Sequence, residues 1–137
     1  MKKYIALALS ASVLFMSGCK KQEDPKEVAG KVCVALKGMD LNELKKYTDE
    51  NSTKDIEMGQ KKLEETKQQI AALPPEQRDT YQKIFDTQMG MIKQKMSEIN
   101  CSNITIQDGS DKENKVAMID GKPTKLRLVD EHWKLTK

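Results

Sequence analysis

The chain has 137 residues, 33% of them charged and only 4% aromatic, with 24 Lys and Arg facing 21 Asp and Glu. That is one domain's worth of chain, with no second domain expected. The opposite charges are interleaved rather than blocked, so neither a phosphate-binding stripe nor base-stacking platforms are visible and nucleic acid is excluded as an expected partner.

The first nineteen residues carry the sharpest signal. Lys2 and Lys3 precede an apolar run from Tyr4 to Met16, and Ser17-Gly18 then stand before Cys19. A charged start, about a dozen apolar residues and a small-residue pair describe a secretory signal, and the run falls short of the ~20 residues that cross a bilayer. The pair before the cysteine resembles a bacterial lipobox, although Met16 stands where Leu is usual. The resemblance implies a signal peptide over residues 1–18 and a diacylglycerol on Cys19, which makes the membrane a partner through that lipid. Removal of 1–18 leaves 119 residues of the 137 and takes Lys2 and Lys3 with it, so a formal charge of +3 becomes about +1. Lys20 follows the lipidated cysteine in place of the aspartate that resembles an inner-membrane retention signal. The expected address is therefore the outer membrane, facing the periplasm, in a two-membrane host.

With Cys19 taken by lipid, Cys33 and Cys101 remain as a pair in a compartment that permits disulfides. Bonded to each other they would close a loop of nearly seventy residues, worth roughly 4 kcal/mol in the chain-entropy model. The alternative is two buried free thiols.

Residues 19–24 read as a lipidated polar tether, and a single domain follows over 25–137. The free stretch from Lys20 to Asp24 reaches at most ~17 Å. Asp24-Pro25-Lys26-Glu27 opens a helix, with a capping aspartate, a proline suited to the first turn and a glutamate able to reach back. Val28, Val32, Leu36 and Met39 mark its core face, with Ala29 and Cys33 alongside, and Gly38 is a plausible stop. Asp40 to Glu43 opens a short second helix carrying Leu41, Leu44 and Tyr47. From Ser52 to Leu73 the chain reads as a very polar helix whose only strong apolar points are Ile56, Leu63, Ile70 and Leu73. Pro74-Pro75 breaks it and starts another, to about Asn100. There Phe85, Met89, Ile92, Met96 and Ile99 alternate four and three apart in a coiled-coil-like stripe, which Tyr81 and Ile84 extend. The two helices are expected to form an antiparallel hairpin over 53–99, long enough at roughly 36 Å to overhang a domain of this size.

Beyond Cys101 the period changes to two. Ile104 and Ile106 alternate, 108–114 is a loop, and Lys115 to Ile119 is a strand ending at the hairpin turn Asp120-Gly121. Thr124, Leu126 and Leu128 alternate, Asp130-Glu131 turns, and His132 to Thr136 returns with Trp133 and Leu135. Pro123 sits at a strand start, where a missing donor is tolerable on an edge. Helices followed by an antiparallel meander give an α+β class.

This order resembles a family of small bacterial lipoproteins of unknown function with a nuclear-transport-factor-two-like, cystatin-like α+β domain. The residues that carry the likeness are the lipobox, Asp24-Pro25-Lys26-Glu27-Val28, the helix end Ala35-Leu36-Lys37-Gly38-Met39-Asp40, and the run from Leu126 to Leu135 ending Trp133-Lys134-Leu135. It implies N-terminal helices packed on a curved antiparallel sheet around a hollow. Val32, Leu36, Leu126, Leu128 and Trp133 are its candidate walls, although a plain core needs the same residues. The long hairpin is generous for that pattern. A thinner likeness, Leu73-Pro74-Pro75-Glu76-Gln77-Arg78, resembles the helix-opening motif of periplasmic stress chaperones, and is also simply good helix-opening chemistry.

No catalytic constellation can be assembled. His132, the sole histidine, sits at a charged turn. No carboxylate pair stands at a recognisable spacing, and no Ser or Cys stands beside a base. Tyr47 and Tyr81 read as helix-face residues with their hydroxyls at the rim. Met89, Met91 and Met96 are soft donors, yet Met89 and Met96 already belong to the apolar stripe, where methionine fills gaps. No cofactor, metal or enzymatic activity is expected. Two readings remain: a non-catalytic binding domain holding a small apolar ligand in the sheet's hollow, or a protein-interaction or chaperone-like module presenting the hairpin 53–99 to an envelope partner.

Overall fold

A computed structural model of the chain describes residues 22–137. The signal 1–18 and Cys19 lie outside the described residues. Four helices, α1 (Pro25–Lys37), α2 (Leu41–Lys45), α3 (Glu50–Ala71) and α4 (Pro75–Ser97), precede four strands, β1 (Thr105–Asp108), β2 (Asn114–Ile119), β3 (Lys122–Val129) and β4 (His132–Leu135). The strands lie in chain order as one antiparallel sheet, so the fold is α+β.

Each helix begins where a side chain or a proline relieves the orphan N–H groups of the first turn. The Asp24 carboxylate accepts from the Lys26 N–H at 2.9 Å, Asp40 from Glu43 at 3.0 Å and Asp49 from Ser52 at 2.8 Å. Asp49 moves the start of α3 ahead of Ser52, where the apolar spacing alone placed it. Burial pushes the Asp49 carboxyl up, but the Ser52 backbone and hydroxyl, the Thr136 hydroxyl and the Arg127 charge together outweigh it and hold the group below the ordinary value of 3.8. A carboxyl depressed on folding contributes stability above its unfolded pKa and loses it as pH falls through the folded one. Asp49→Asn keeps a capping oxygen but removes that charge. Its urea midpoint is therefore expected to fall less steeply than the wild type's as pH drops below 3.8, and parallel profiles would refute this.

The end of α1 differs from the expected glycine stop. Gly38 is right-handed (φ −85°), and Met39 takes the left-handed conformation one residue later, at φ 50°. The Met39 N–H bonds Leu36 O at 3.0 Å and the Asp40 N–H bonds Ala35 O at 2.9 Å. This is the pair of bonds of a Schellman end, and it places the left-handed residue two before α2.

The sheet's inner face and α1 form the core. Val28, Ala29, Val32, Cys33 and Ala35 from α1 meet Ile104, Ala117, Ile119, Leu126 and Trp133, with Leu44 of α2 closing one side. Alternation delivers this directly: Ala117, Ile119, Leu126, Leu128, Trp133 and Leu135 occupy same-face positions of the registered strands. Pro123 lies on an inner strand rather than an edge strand. It is tolerated because β4 pairs with β3 only over Leu126–Val129, leaving Pro123 beyond the ladder on that side.

Two tight turns close the meander. Asp120 (φ 50°) and Gly121 (φ 72°) join β2 to β3, and Asp130 (φ 49°) and Glu131 (φ 67°) join β3 to β4. Both have the positive φ pair of a type I′ turn, whose second position favours glycine. Glu131 is exposed and without glycine's freedom, so Glu131→Gly should stabilise the domain by about 1 kcal/mol. That corresponds to a melting point higher by roughly 3–6 °C, and an unchanged or lower melt would contradict it.

Candidate interaction surface

The five candidate wall residues converge, and what they build is packed. Val32, Leu126 and Trp133 are buried in the core, and Leu36 and Leu128 pack against its margin. Cys33 and Cys101 are bonded, with Cα atoms 5.8 Å apart, so α1 is stitched to the segment between α4 and β1. That closes a loop containing α2, α3 and α4.

The chain just before α1 is held as well. The Trp133 indole Nε1–H donates to the Glu23 carbonyl at 3.0 Å, and the Trp133 backbone N–H donates to the Glu23 carboxylate at 3.1 Å. His132 Nδ1 lies 3.5 Å from the same carboxylate. Glu23 belongs to the stretch read as tether, and nothing local in the sequence announces a contact across 110 positions. Glu23 lies four positions after Cys19, so the point where the chain leaves the domain stands at most ~14 Å from that cysteine. A second contact the sequence concealed lies along β4. Thr48 forms an isolated parallel bridge with Leu135, the Leu135 N–H bonds Tyr47 O and the Asp49 N–H bonds Leu135 O. The link between α2 and α3 thereby covers an edge that would otherwise offer free backbone groups.

Most of the large apolar side chains left uncovered lie on the helical hairpin, although Val34 of α1, at 65%, is the most exposed of all and Val129 of β3 is exposed as well. α3 brings one strong apolar residue per heptad, Ile56, Leu63 and Ile70, and α4 brings a much wider arc. At about 100° per residue, Phe85, Met96 and Met89 share one sector, and Met91, Ile84, Tyr81 and Ile92 fill the adjoining sector centred on Gln88. A single row cannot cover both. Phe85, Met89 and Met96 are half-buried, but Ile92, expected in the seam, is 43% exposed; Ile84, Tyr81 and Met91 are 49%, 52% and 54% exposed. No side chain of α4 is buried. Between the helices near their closed end runs a groove of about 370 Å³ whose apolar wall is Ile70, Leu73, Tyr81, Ile84 and Phe85. The Arg78 guanidinium closes the turn beside it, donating to Leu73 O at 3.0 and 3.3 Å, which gives the Pro-Pro-Glu-Gln-Arg run a structural role.

A comparison with family models, characterised proteins and solved structures finds no match. The remaining candidates for chemistry are placed on the surface or in local contacts. Tyr47 donates its hydroxyl to Glu43 at 3.2 Å, and Tyr81 is exposed in the hairpin groove. Lys46 holds Glu43 below, and Glu43 holds Lys46 above, their ordinary pKa values through the bond between them at 2.7 Å. Among the described residues no group of three or more His, Cys, Asp and Glu is placed to hold a metal ion. No described helix is long and apolar enough to cross a membrane.

Proposed function

We infer that this is a lipid-anchored protein of the bacterial envelope whose α+β domain is a non-catalytic holder and whose α3–α4 hairpin docks a protein partner. The observation that carries this is the 23-residue α4, which buries no side chain and carries four of the large exposed apolar residues. Residues proposed as walls of a ligand hollow are spent on packing, and that favours the hairpin over the hollow. The lipobox-like start supports lipidation at Cys19 after removal of 1–18, and Lys20 supports the outer membrane as its address. The order of helices and meander, with α1 lying across the inner face, supports the nuclear-transport-factor-two-like reading of the fold.

The test places a photoreactive residue at Tyr81 or Met91 of the full-length chain in intact cells, and at Thr105 or Lys125 on the sheet's other face for comparison. Adducts formed from the hairpin positions and not from the sheet are expected. Adducts from the sheet alone would overturn the assignment. Cys19→Ser should move the chain from the membrane to the soluble fraction, and unchanged membrane association would remove the lipid from the account.

A further inference from the structure

We propose that the uncovered outer face of the sheet, centred on Lys125 and Arg127, docks the anionic headgroup surface of a phospholipid membrane. The proposal rests on the lipid-anchor reading above for the nearness of that membrane, and on strand register for the face itself.

Register collects cations that the sequence scatters. With α1 on the inner face, the outward positions form three cross-strand rows: Thr105, Met118 and Pro123; Gln107, Val116 and Lys125; Asn114, Arg127 and Lys134. Val129 and His132 end the face. No carboxylate stands at any of these positions, in a chain with 21 acidic residues. The acids nearest in sequence to the two central cations, Asp120, Asp130 and Glu131, lie in the turns beyond the strand ends. Lys125 and Arg127 are exposed, and neither joins an ion pair among the described residues. The charge of Arg127 reaches Asp49, but that carboxylate is already taken by the Ser52 N–H.

The two cations open onto a cleft of about 470 Å³ whose wall also holds Lys115 and Lys137, with Ser110 and Asn114 as further donors. Lys115 and Lys137 keep carboxylate partners of their own, Asp108 and Asp55, which leaves Lys125 and Arg127 as the cations to be satisfied. No described acidic residue lines this cleft. The cleft beside α1 is the reverse, with Glu27, Asp40 and Glu43 around a single Lys31. An ammonium and a guanidinium set side by side without a counter-charge suit the oxygens of a phosphodiester.

Where the chain leaves the domain decides which phosphate is at hand. Trp133 holds Glu23 against the outer edge of β4, and Arg127 pairs with Lys134, the residue next to Trp133. With strands about 4.8 Å apart, Arg127 lies about 10 Å from that exit point. The lipid proposed on Cys19 is at most ~14 Å beyond it, so a membrane is held permanently beside the face while a soluble anion is not. Val129, 37% exposed on the same face, supplies an apolar group for the headgroup layer. A sheet face turned to lipid is not offered to protein, in keeping with the protein adducts expected from the hairpin alone.

The experiment is flotation with vesicles of phosphatidylcholine, alone or with an equal part of phosphatidylglycerol. It uses the chain from residue 19 with Cys19→Ser, which has no lipid and keeps every core residue and the disulfide. Binding to the phosphatidylglycerol vesicles is expected at about 0.1 M salt, with loss at about 1 M as the screening length shrinks to ~3 Å. A cation near an anionic surface is worth about fivefold in partitioning, so Lys125→Gln with Arg127→Gln should weaken binding about twentyfold. Lys61→Gln with Lys62→Gln makes the same change in net charge on exposed α3 and should weaken it less than about threefold. Equal binding to the two kinds of vesicle, or equal losses from the two pairs of substitutions, overturns the proposal. A melting point raised by inorganic phosphate while neither vesicle binds assigns the cleft to a soluble anion and overturns it too. Because this chain carries no lipid, failure of the face is told apart from failure of the anchor, which the Cys19→Ser fractionation above reads.

Discussion

Replacing both bonded cysteines, as Cys33→Ala with Cys101→Ala, is expected to destabilise the domain by roughly 4 kcal/mol. In the chain-entropy model this is the cost of reopening a loop of 68 residues in the unfolded ensemble. The effect is large because little else holds α4 down. α1 supplies five buried residues to the core and α4 supplies none, so the bond from Cys33 to Cys101 fixes the return leg of the hairpin just where it re-enters the domain. Ile99 packs on the core beside it, and the rest of α4 extends beyond. Loss of the bond should therefore show unevenly. Amide exchange is expected to quicken most at the C-terminal turn of α4, with the paired centre of β2 and β3 changing only as far as global stability falls. A reduced and an oxidised sample with the same denaturation midpoint would show that the closed loop constrains little in the unfolded chain.

The same contrast between α1 and α4 bears on what was legible in the sequence. Local chemistry announced itself where a few adjacent residues decide the outcome. Asp24-Pro25 starts α1, Asp120-Gly121 turns β2 into β3, and alternation in β2, β3 and β4 places Ala117, Leu126 and Trp133 on one face. Contacts between distant segments did not. Thr48 beside Leu135 and Glu23 beside Trp133 depend on where three helices bring the chain back, and a capping aspartate or a tether residue looks the same with or without such a partner. The hairpin lies between these cases. Its stripe was visible as a coiled-coil pattern, but how much of it is covered depends on the width of the facing row. Ile56, Leu63 and Ile70 are too narrow a row to cover Tyr81, Ile84 and Ile92 as well as Phe85, Met89 and Met96. At α1, Met39 in place of Gly38 shows that a glycine near a helix end marks the neighbourhood of the left-handed residue without being it.

Trp133→Ala should cost about 3–5 kcal/mol, the range for deleting a large buried aromatic, and so approach the whole stability of a small domain. More informative is the graded series beneath it. Trp133→Phe retains most of the apolar area but removes the indole N–H, leaving the part-buried Glu23 carbonyl without that donor; an expected loss of about 1 kcal/mol follows from the lost hydrogen bond. Glu23→Ala removes the carboxylate that accepts from the Trp133 backbone N–H and leaves the carbonyl in place, so the indole bond survives. It should cost less than either. Because Trp133 is the only tryptophan, its emission reports the site directly. Denaturation midpoints equal for wild type and Trp133→Phe would show the indole bond to be dispensable. The consequence for function is positional. Because Trp133 holds Glu23 beside β4, and Glu23 lies four positions after Cys19, the lipid proposed at Cys19 would keep the membrane within ~14 Å of that point on the domain.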